Sequence, residues 1–394
     1  MKTKTNKTIL SYLCQNIGIG VLLLITLNSC KKENNMIPKI EQLEKFEWLA
    51  ETSADSLCPV EVYHGSFTVT DGNTHWIPSG EYLNDQWGGY GAVYAVGDDK
   101  RKIPESMQIT WFSYAENKFY QGDFNLPQKK IYDIFKKDYG YYKLPNGHKE
   151  KEAFSTLLLS FAPQGLVTLW ASGCGSIEIG TYQAKEIFME WKDFYGTQGT
   201  ITRNEEVKDR QKDMLPIVQQ EIATGKINNT YIKNRLQRYN YTIATNKPDE
   251  YTIFHYGISF LNQEVINHKI GDLTFLSDTQ NGKGIATNGN VYVKNKFNQE
   301  FEIRFDANLL AGQQLYDRLP PEQTRTKNIN YMQLWEDFFE KNKDVQFLIK
   351  FKDKIEKSSI NKPVLCGKIV LKSGKNELEF PNSRVEFFDS EEWD

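Results

Sequence analysis

A cysteine near the start of the chain carries the clearest chemical signal in the sequence. Cys30 follows Leu27, Asn28 and Ser29. An apolar residue three positions before a cysteine and a small residue directly before it are the pattern at which bacterial lipoprotein precursors are cleaved and acylated. We therefore predict that Cys30 becomes the first residue of the mature protein and carries a lipid.

The segment before this cysteine has the three parts of a secretion signal in the expected order. Residues 17–27 are almost wholly apolar and too short to cross a bilayer comfortably. More than one acyl chain on Cys30 would make the attachment stable. We predict a signal peptide over residues 1–29 and a polar tether over residues 30–43. The basic start of the signal consists of Lys2, Lys4 and Lys7.

The histidines do not have the spacing of a metal site. His64 and His75 flank one turn and could meet in space, whereas no histidine lies four positions from another in a zinc-binding motif. A zinc site needs three or more protein ligands. The sequence therefore predicts neither a metal nor a cofactor. The remaining histidines are His148, His255 and His268.

Two further patterns have the residue types of catalytic groups. Cys174 lies in the turn Gly173-Cys174-Gly175-Ser176, but a nucleophilic cysteine needs a neighbour that lowers its pKa, and no histidine is close in sequence. Glu116 and Asp123 flank a predicted hairpin and have the types required for glycoside hydrolysis. Carboxylates at hairpin ends are usually only solvated. We predict no catalytic residue, and a hydrolase of envelope polymers remains a second alternative.

Three large aromatic residues lie in a glycine-rich stretch. Trp76, Trp87 and Tyr90 fall within fifteen residues of one another. Such side chains are costly to expose unless they pack or bind, and glycine lets a backbone approach a ligand closely. These residues either form a small core over one end of a sheet or form a binding surface, and they are the predicted binding site.

Composition limits the classes of function. The 394 residues have a formal net charge of −3, and removal of the three signal lysines makes it −6. A mildly acidic chain is a poor candidate for electrostatic binding of nucleic acid. Aromatic residues make up 13% of the chain, which favours β-structure over disorder. Outside the signal and the anchor, Cys58, Cys174 and Cys366 allow at most one disulfide, and their pairing is left open.

Alternating apolar and polar residues predict strands in the first half of the folded part. The apolar stripe of Ile131, Ile134 and Phe135 predicts a helix after Pro127. Residues 177–191 fit either a strand or a helix. The predicted strands cover 46–49, 60–69 with a bulge at Gly65, a hairpin of 107–111 with 119–124, and a hairpin of 155–161 with 166–170.

After Gly196 the chain becomes highly charged and mixes the two periodicities. One helix is predicted over 205–223, kinked at Pro216 and ended by Gly225. No internal repeat is evident. The other predicted helices cover 231–239, 307–319 and 331–341, and the predicted strands cover 251–260, 290–305, 345–351, 364–371 and 377–380.

Several short phrases of the first half occur together in a known order. They include Pro59-Val60-Glu61-Val62, Ile109-Thr110-Trp111-Phe112-Ser113-Tyr114 and Ala162-Pro163-Gln164-Gly165. Over residues 44–196 the chain resembles the bacterial lipoprotein family catalogued as domain of unknown function 2931. The resemblance implies an envelope lipoprotein, with an immunity role beside a toxic effector as one reading, and supplies no catalytic residues. Residues 200–394 show no such resemblance.

These patterns predict an α+β protein in two parts. Residues 44–198 form a mostly antiparallel β domain with one helix, and residues 199–394 form an α+β domain. The predicted function is a non-enzymatic binding or protective, immunity-like lipoprotein of the cell envelope. It is anchored in the outer membrane, on a face left undecided, and binds a protein effector. The alternative is a surface lipoprotein that binds a glycan through Trp76, Trp87 and Tyr90.

Overall fold

Alternating apolar residues place most of the chain in strands. The computed structural model describes residues 44–84, 86–94, 98, 100–143, 147–196, 201–352 and 363–389. The predicted signal peptide, the lipidation site Cys30 and the tether lie outside these residues. Within them, strands greatly outnumber helices and form several sheets. The expectation of a mostly β protein with some helices is confirmed.

The strands of the first half lie between residues 45 and 187. They are β1 Lys45–Glu47, β2 Leu49–Ala54, β3 Val60–Val69, β4 Thr74–Trp76, β5 Tyr82–Leu83, β6 Ala92–Val93, β7 Lys100–Lys102, β8 Pro104–Ser113, β9 Lys118–Asn125, β10 Tyr141–Lys143, β11 Lys149–Lys151, β12 Phe154–Ala162, β13 Leu166–Gly173, β14 Ser176–Gln183 and β15 Lys185–Ile187.

The strands of the second half begin at residue 241. They are β16 Tyr241–Thr245, β17 Tyr251–Phe260, β18 Val265–Asn267, β19 Ala286–Asn295, β20 Glu300–Asp306, β21 Val345–Phe351, β22 Val364–Ser373, β23 Asn376–Glu379 and β24 Arg384–Asp389. The helices are α1 Gln128–Lys136, α2 Trp191–Tyr195, α3 Arg203–Lys212, α4 Pro216–Thr224, α5 Thr230–Arg235, α6 Thr274–Ser277 and α7 Pro321–Lys341.

Two sheets dominate the part of the chain that the structure describes. One has fourteen strands in the order β16-β21-β22-β24-β20-β19-β17-β18-β14-β13-β12-β2-β6, with β23 beside β22. The other has six strands in the order β15-β9-β8-β3-β4, with β5 beside β3. The long sheet passes from the first half of the chain to the second where β14 pairs with β18, through Ser176 and Val265.

The two halves share one strand order. In each half the first strand is parallel to the first long strand after the helix, because β2 pairs with β12 and β16 pairs with β21. In each half the second strand pairs with a short return strand and with the first arm of a long hairpin, which are β4 and β8 in one half and β18 and β19 in the other. We call these units repeat one (residues 49–187) and repeat two (residues 241–389).

The correspondence extends to single residues. Strands β3 and β17 each have ten residues and the same two irregularities, after Val62 and Ile253 and again nine residues into the strand. The return strands pair in the same register, since Phe67 faces His75 and Ile258 faces Ile266. A constant difference of 191 positions therefore relates residues 60–76 to residues 251–267. The hairpin turns after β8 and β19 both place an asparagine at positive φ, Asn117 and Asn298.

Three groups of buried side chains hold these layers together. One lies inside repeat one, between its two sheets and α1, and includes Trp48, Trp111 and Phe161. A second fills repeat two and reaches the outer face of β12 and β13, where it includes Leu158 and Trp170. The third packs α3 and α4 on the hairpin of β8 and β9. The division predicted near residue 198 stays a prediction, since both halves contribute to one buried group.

Most predicted elements are confirmed. The helix after Pro127 is α1, and it buries Ile131, Ile134 and Phe135. The two predicted hairpins are β8 with β9 and β12 with β13. The ambiguous stretch 177–191 divides into β14, β15 and the start of α2. The bulge expected at Gly65 lies two residues earlier, between Val62 and His64.

Two helix predictions are wrong, and proline explains the first. The helix expected over 205–223 is two helices, because Leu215 before Pro216 adopts an extended conformation and Pro216 begins α4. The helix expected over 307–319 does not form; α7 begins at Pro321 instead. The last strand, β24, was not predicted. Among the described residues, no helix is both long and apolar enough to cross a membrane.

Candidate functional sites

The predicted aromatic site is divided by the structure. Trp87 is 1% exposed and belongs to the buried group of repeat two. Its ring meets that of Trp170 edge to face with centroids 5.2 Å apart, and the Arg235 guanidinium lies 4.9 Å from its centroid. Arg235 is itself held by a bond from Nε to the Leu261 carbonyl oxygen, 2.8 Å long. Trp87 therefore joins the repeats, which is the packing alternative and not the binding one.

The glycines around Trp87 also serve internal packing. A Cβ atom on Gly88 would lie 2.7 Å from Cβ of Gln263 in repeat two, and one on Gly91 would lie 1.8 Å from the Thr52 carbonyl oxygen. Gly88 donates its backbone N–H to Ser160 Oγ at 3.0 Å. The close approach expected of these glycines is thus an approach to the protein's own chain.

The other two aromatic residues face solvent. Trp76 is 59% exposed and Tyr90 is 86% exposed. Trp76 ends β4, at the edge of the six-stranded sheet, and its ring contacts that of His64 with centroids 5.2 Å apart. Exposed indole and phenol rings supply large contact areas at low cost in conformational entropy. Trp76 and Tyr90 therefore remain the candidate binding residues of the predicted set.

The two histidines beside this turn do not come together. His75 and Trp76 are neighbours in β4, so their side chains point to opposite faces of the sheet. The His75 ring packs 5.4 Å from that of the buried Trp48, whereas His64 contacts the exposed Trp76. Burial lowers the pKa of His75. Within the described residues, no group of three or more His, Cys, Asp or Glu side chains has the geometry to hold a metal ion.

Glu116 lies in a cleft of about 620 Å³ between the β8–β9 hairpin and helices α3 and α4. Its carboxylate accepts hydrogen bonds from Ser113 Oγ at 3.1 Å, from Tyr120 Oη at 3.0 Å and from the backbone N–H of Gln164 at 3.0 Å. These bonds tie the hairpin turn to the turn between β12 and β13. The carboxylate therefore has an evident structural role.

Its proposed partner is remote. Asp123 lies in β9, exposed and opposite Gln108, five residues beyond Lys118. Five residues of strand span about 17 Å, whereas the carboxylates of a glycosidase are about 5–10 Å apart. The structure does not bring Glu116 and Asp123 together; Asp123 is exposed, whereas Glu116 is fixed by hydrogen bonds.

The three cysteines among the described residues are free thiols. Cys58 and Cys366 are buried and Cys174 is partly buried. Burial, with the nearby Glu152 carboxylate, raises the pKa of Cys174 to about 12. A thiol with this pKa stays protonated at neutral pH and is a poor nucleophile. The turn at Gly173-Cys174-Gly175-Ser176 instead places Cys174 where its carbonyl oxygen accepts a bond of 2.8 Å from Asn267 Nδ2.

A polar pocket that the sequence did not indicate lies in repeat two. It has a volume of about 280 Å³ and is lined by the ends of β17, β19 and β20 and by α7. Its charged residues are Asp306, Lys327 and Glu264. Asp306 ends β20 and Lys327 lies on the second turn of α7, and a helix had been expected between them.

Comparison with known proteins identifies the first half alone. Residues 30–225 match the sequence model of a family described as a protein of unknown function (DUF2931). The match confirms the resemblance noted for residues 44–196 and extends it through α3 and α4. Neither a curated protein nor a solved structure matches the chain.

Proposed function

Since residues 30–225 belong to the DUF2931 family, we propose that the chain is a lipid-anchored protein of the bacterial cell envelope that binds a partner without catalysing a reaction. The observation that carries the proposal is the order of a basic segment, an apolar segment and Ser29-Cys30 at the start of the sequence. The family match begins at Cys30, which agrees with a mature protein that starts there.

Replacement of the anchor cysteine tests the first part of the proposal. Cys30→Ser should abolish incorporation of labelled palmitate and move the chain from the membrane fraction to the soluble fraction, because the thiol is the site of acylation. Cys14→Ser is the matched control, since Cys14 lies within the predicted signal, and it should label as the wild type does. Absence of label from the wild-type protein would remove the anchor from the proposal.

The binding role is supported by the exposed aromatic surface. Trp76 and Tyr90 are accessible, whereas Glu116 is engaged in hydrogen bonds and Cys174 has a raised pKa. A protein effector is the first candidate partner, as the family resemblance implies. The same proposal places the protein in the outer membrane and leaves its periplasmic or surface side undecided.

A pull-down from the native envelope tests this surface. The double variant Trp76→Ala with Tyr90→Ala should lose the captured partner, because the two exposed rings would supply most of the contact area. Phe188→Ala is the control, since Phe188 is also exposed, at 82%, but directly follows β15, at the opposite edge of the six-stranded sheet from β4. Equal capture by the double variant and the wild type would contradict a role for these rings.

A glycan is the second candidate ligand, and the exposed Trp76 indole specifically favours it. Exposed aromatic faces stack on the apolar faces of sugar rings, and this contact does not require Trp87. Binding of envelope polysaccharides to the wild type and to Trp76→Ala, compared side by side, would distinguish the two ligands. If the ligand is a glycan, polysaccharide binding should be saturable, and Trp76→Ala should weaken it at least tenfold. If the ligand is a protein, neither the wild type nor the variant should bind the polysaccharide.

A further inference from the structure

The pocket of repeat two contains two opposite charges that do not pair with each other. The Asp306 carboxylate accepts a bond of 2.8 Å from the backbone N–H of Asn308. Among the described residues, neither Asp306 nor Lys327 takes part in an ion pair within 4.0 Å. Both side chains are only partly accessible. Burying charges without partners costs free energy, and proteins accept this cost chiefly at functional sites.

The electrostatics of the pair agree with this geometry. Burial raises the pKa of Asp306 to about 6, although the Lys327 charge acts against the shift. Burial likewise lowers the pKa of Lys327, with Asp306 acting against it. Each group therefore feels the other, yet each lacks the close partner that would offset its loss of water.

Three further polar side chains of the pocket are bonded within the protein. Asn308 Nδ2 donates to Asn328 Oδ1 at 2.8 Å, and Asn328 Nδ2 donates to the Tyr231 hydroxyl at 3.0 Å. The third charged residue, Glu264, is held by both terminal nitrogens of Arg238, at 2.7 and 3.0 Å. Asp306 and Lys327 are thus the two charged groups of the pocket without an ion-pair partner among the described residues.

The equivalent place in repeat one differs in charge and in shape. The counterpart of Asp306 at the end of β9 is Asn125, which is neutral and exposed. Gln128 of α1 lies in the interior there, and its Nε2 donates to Thr70 Oγ1 at 3.3 Å and to the Ile103 carbonyl oxygen at 3.4 Å. The shared fold therefore does not require the buried charges of repeat two.

We propose that this pocket binds a small zwitterion, an α-amino acid or a short peptide, with its ammonium group at Asp306 and its carboxylate at Lys327. One ligand would then supply a partner to each charge. The volume of about 280 Å³ is just below the roughly 300–1,000 Å³ of sites for drug-sized molecules, which fits a molecule of this size. The site depends on neither the Cys30 anchor nor the exposed aromatic rings.

Thermal unfolding of the whole mature protein tests the charge pattern. Glycine, L-alanine and alanyl-alanine carry both charges, whereas acetate and methylammonium each carry one. At about 10 mM, a zwitterion bound with a millimolar dissociation constant should raise Tm by roughly 2 °C, and the single-charge compounds should not. No shift with any of the three zwitterions, or an equal shift with acetate alone, would overturn the proposal.

Two variants test whether the zwitterion binds at Asp306 and Lys327. Asp306→Asn copies the residue found in repeat one and keeps an oxygen that can accept from Asn308. It should reduce zwitterion affinity at least tenfold, measured by calorimetry, and Lys327→Met should do the same. Asn125→Asp is the control and should leave affinity unchanged. If a folded Asp306→Asn protein binds as the wild type does, the ligand lies elsewhere and the assignment is wrong.

Discussion

Repeat one and repeat two have the same strand order. They differ in how their strands join into sheets and in which helices pack on those sheets. In repeat one, β14 pairs with β13, and the separate strand β15 pairs with β9. In repeat two, β24 alone pairs with both β22 and β20, so the strands continue as one sheet. Repeat one is covered by α1 and also by α3 and α4, whereas repeat two has the long helix α7 in its buried group.

This comparison separates the structural features that the fold requires from those that differ between the repeats and could serve a function. The bulges, the return strand and the parallel pair occur in both repeats and belong to the architecture. The charge at Asp306 is replaced by the neutral Asn125 in repeat one, and the exposed ring of Trp76 corresponds to Asn267, whose amide contacts Cys174 of repeat one. Features that differ between equivalent positions are therefore the better candidates for function.

The largest effect expected is at the contact between the repeats. Trp87→Ala should lower the free energy of unfolding by about 3–5 kcal/mol, because it removes a buried ring from between Trp170 and Arg235. Trp76→Ala, with its ring exposed, should change it by less than about 0.5 kcal/mol. Chemical denaturation of the two variants measures both. Similar losses would mean that the Trp87 contact does not join the repeats.

A smaller change in the free energy of unfolding, this time an increase, is expected from a substitution at Asp306 in the pocket. The pKa of Asp306 is raised from 3.8 to about 6, so the folded state holds this proton more tightly than the unfolded state. The stability contribution is complete below about pH 4 and is lost as pH rises through about 6. Asp306→Asn removes this loss and should stabilise the protein at pH 8 by at most about 3 kcal/mol.

The same variant should have almost no stabilising effect at pH 3.5, because Asp306 is then largely protonated in both states. Asn125→Asp in repeat one is the matched change at an exposed position and should be nearly neutral at both values. Denaturation curves at the two pH values decide the matter. A pH-independent difference between Asp306→Asn and the wild type would contradict the assigned pKa.

The next effect in size concerns the ion pairs. Arg238 binds Glu264 with two nitrogens and Glu178 at 3.0 Å, and so links repeat two to β14. Arg238→Met should lower the free energy of unfolding by about 1–2 kcal/mol, since it leaves the carboxylates of Glu264 and Glu178 without a charged partner and Arg238 is about a third exposed. Lys118→Met breaks an exposed pair in repeat one and should cost about 0–1 kcal/mol.

The smallest effect is expected from a single proteolytic cut between repeat one and repeat two. Limited proteolysis of the mature protein should cleave first around residues 196–206, where the sequence changes character. Repeat one and repeat two should then stay associated through Trp87, Arg238 and the β14–β18 pair. Size-exclusion chromatography of the cut protein checks this. Separation into two folded fragments would show that the shared buried group contributes little.

Periodicity predicted the strands of both repeats but not their equivalence. Residues 60–69 and 251–260 were each predicted as strands. Yet in residues 60–76 and 251–267 the one identical pair at equivalent positions is His64 and His255. Apolar alternation and bulges set the register of a strand, and many residue combinations satisfy them. The pairing of the strands therefore shows that the two repeats are equivalent, although almost none of their residues are identical.

The candidate sites were harder to predict for a different reason. Trp87 appeared exposed because its local neighbours are glycines, while the groups that bury it, Trp170 and Arg235, lie far away in the chain. Asp306 and Lys327 are 21 positions apart and were separated by a helix that does not form. Long-range contacts decide burial, and local patterns carry no information on them.

The pairing of β14 with β18 has a consequence for solubility. A strand at the end of a sheet exposes backbone groups that can pair with another molecule, and this is a common start of aggregation. Two separate copies of the unit would each leave such edges open, whereas in tandem β14 and β18 cover each other. In the part of the chain that the structure describes, β4, the counterpart of β18, still ends its sheet. The duplication thus protects one of two equivalent edges, and the open one is the strand that carries Trp76.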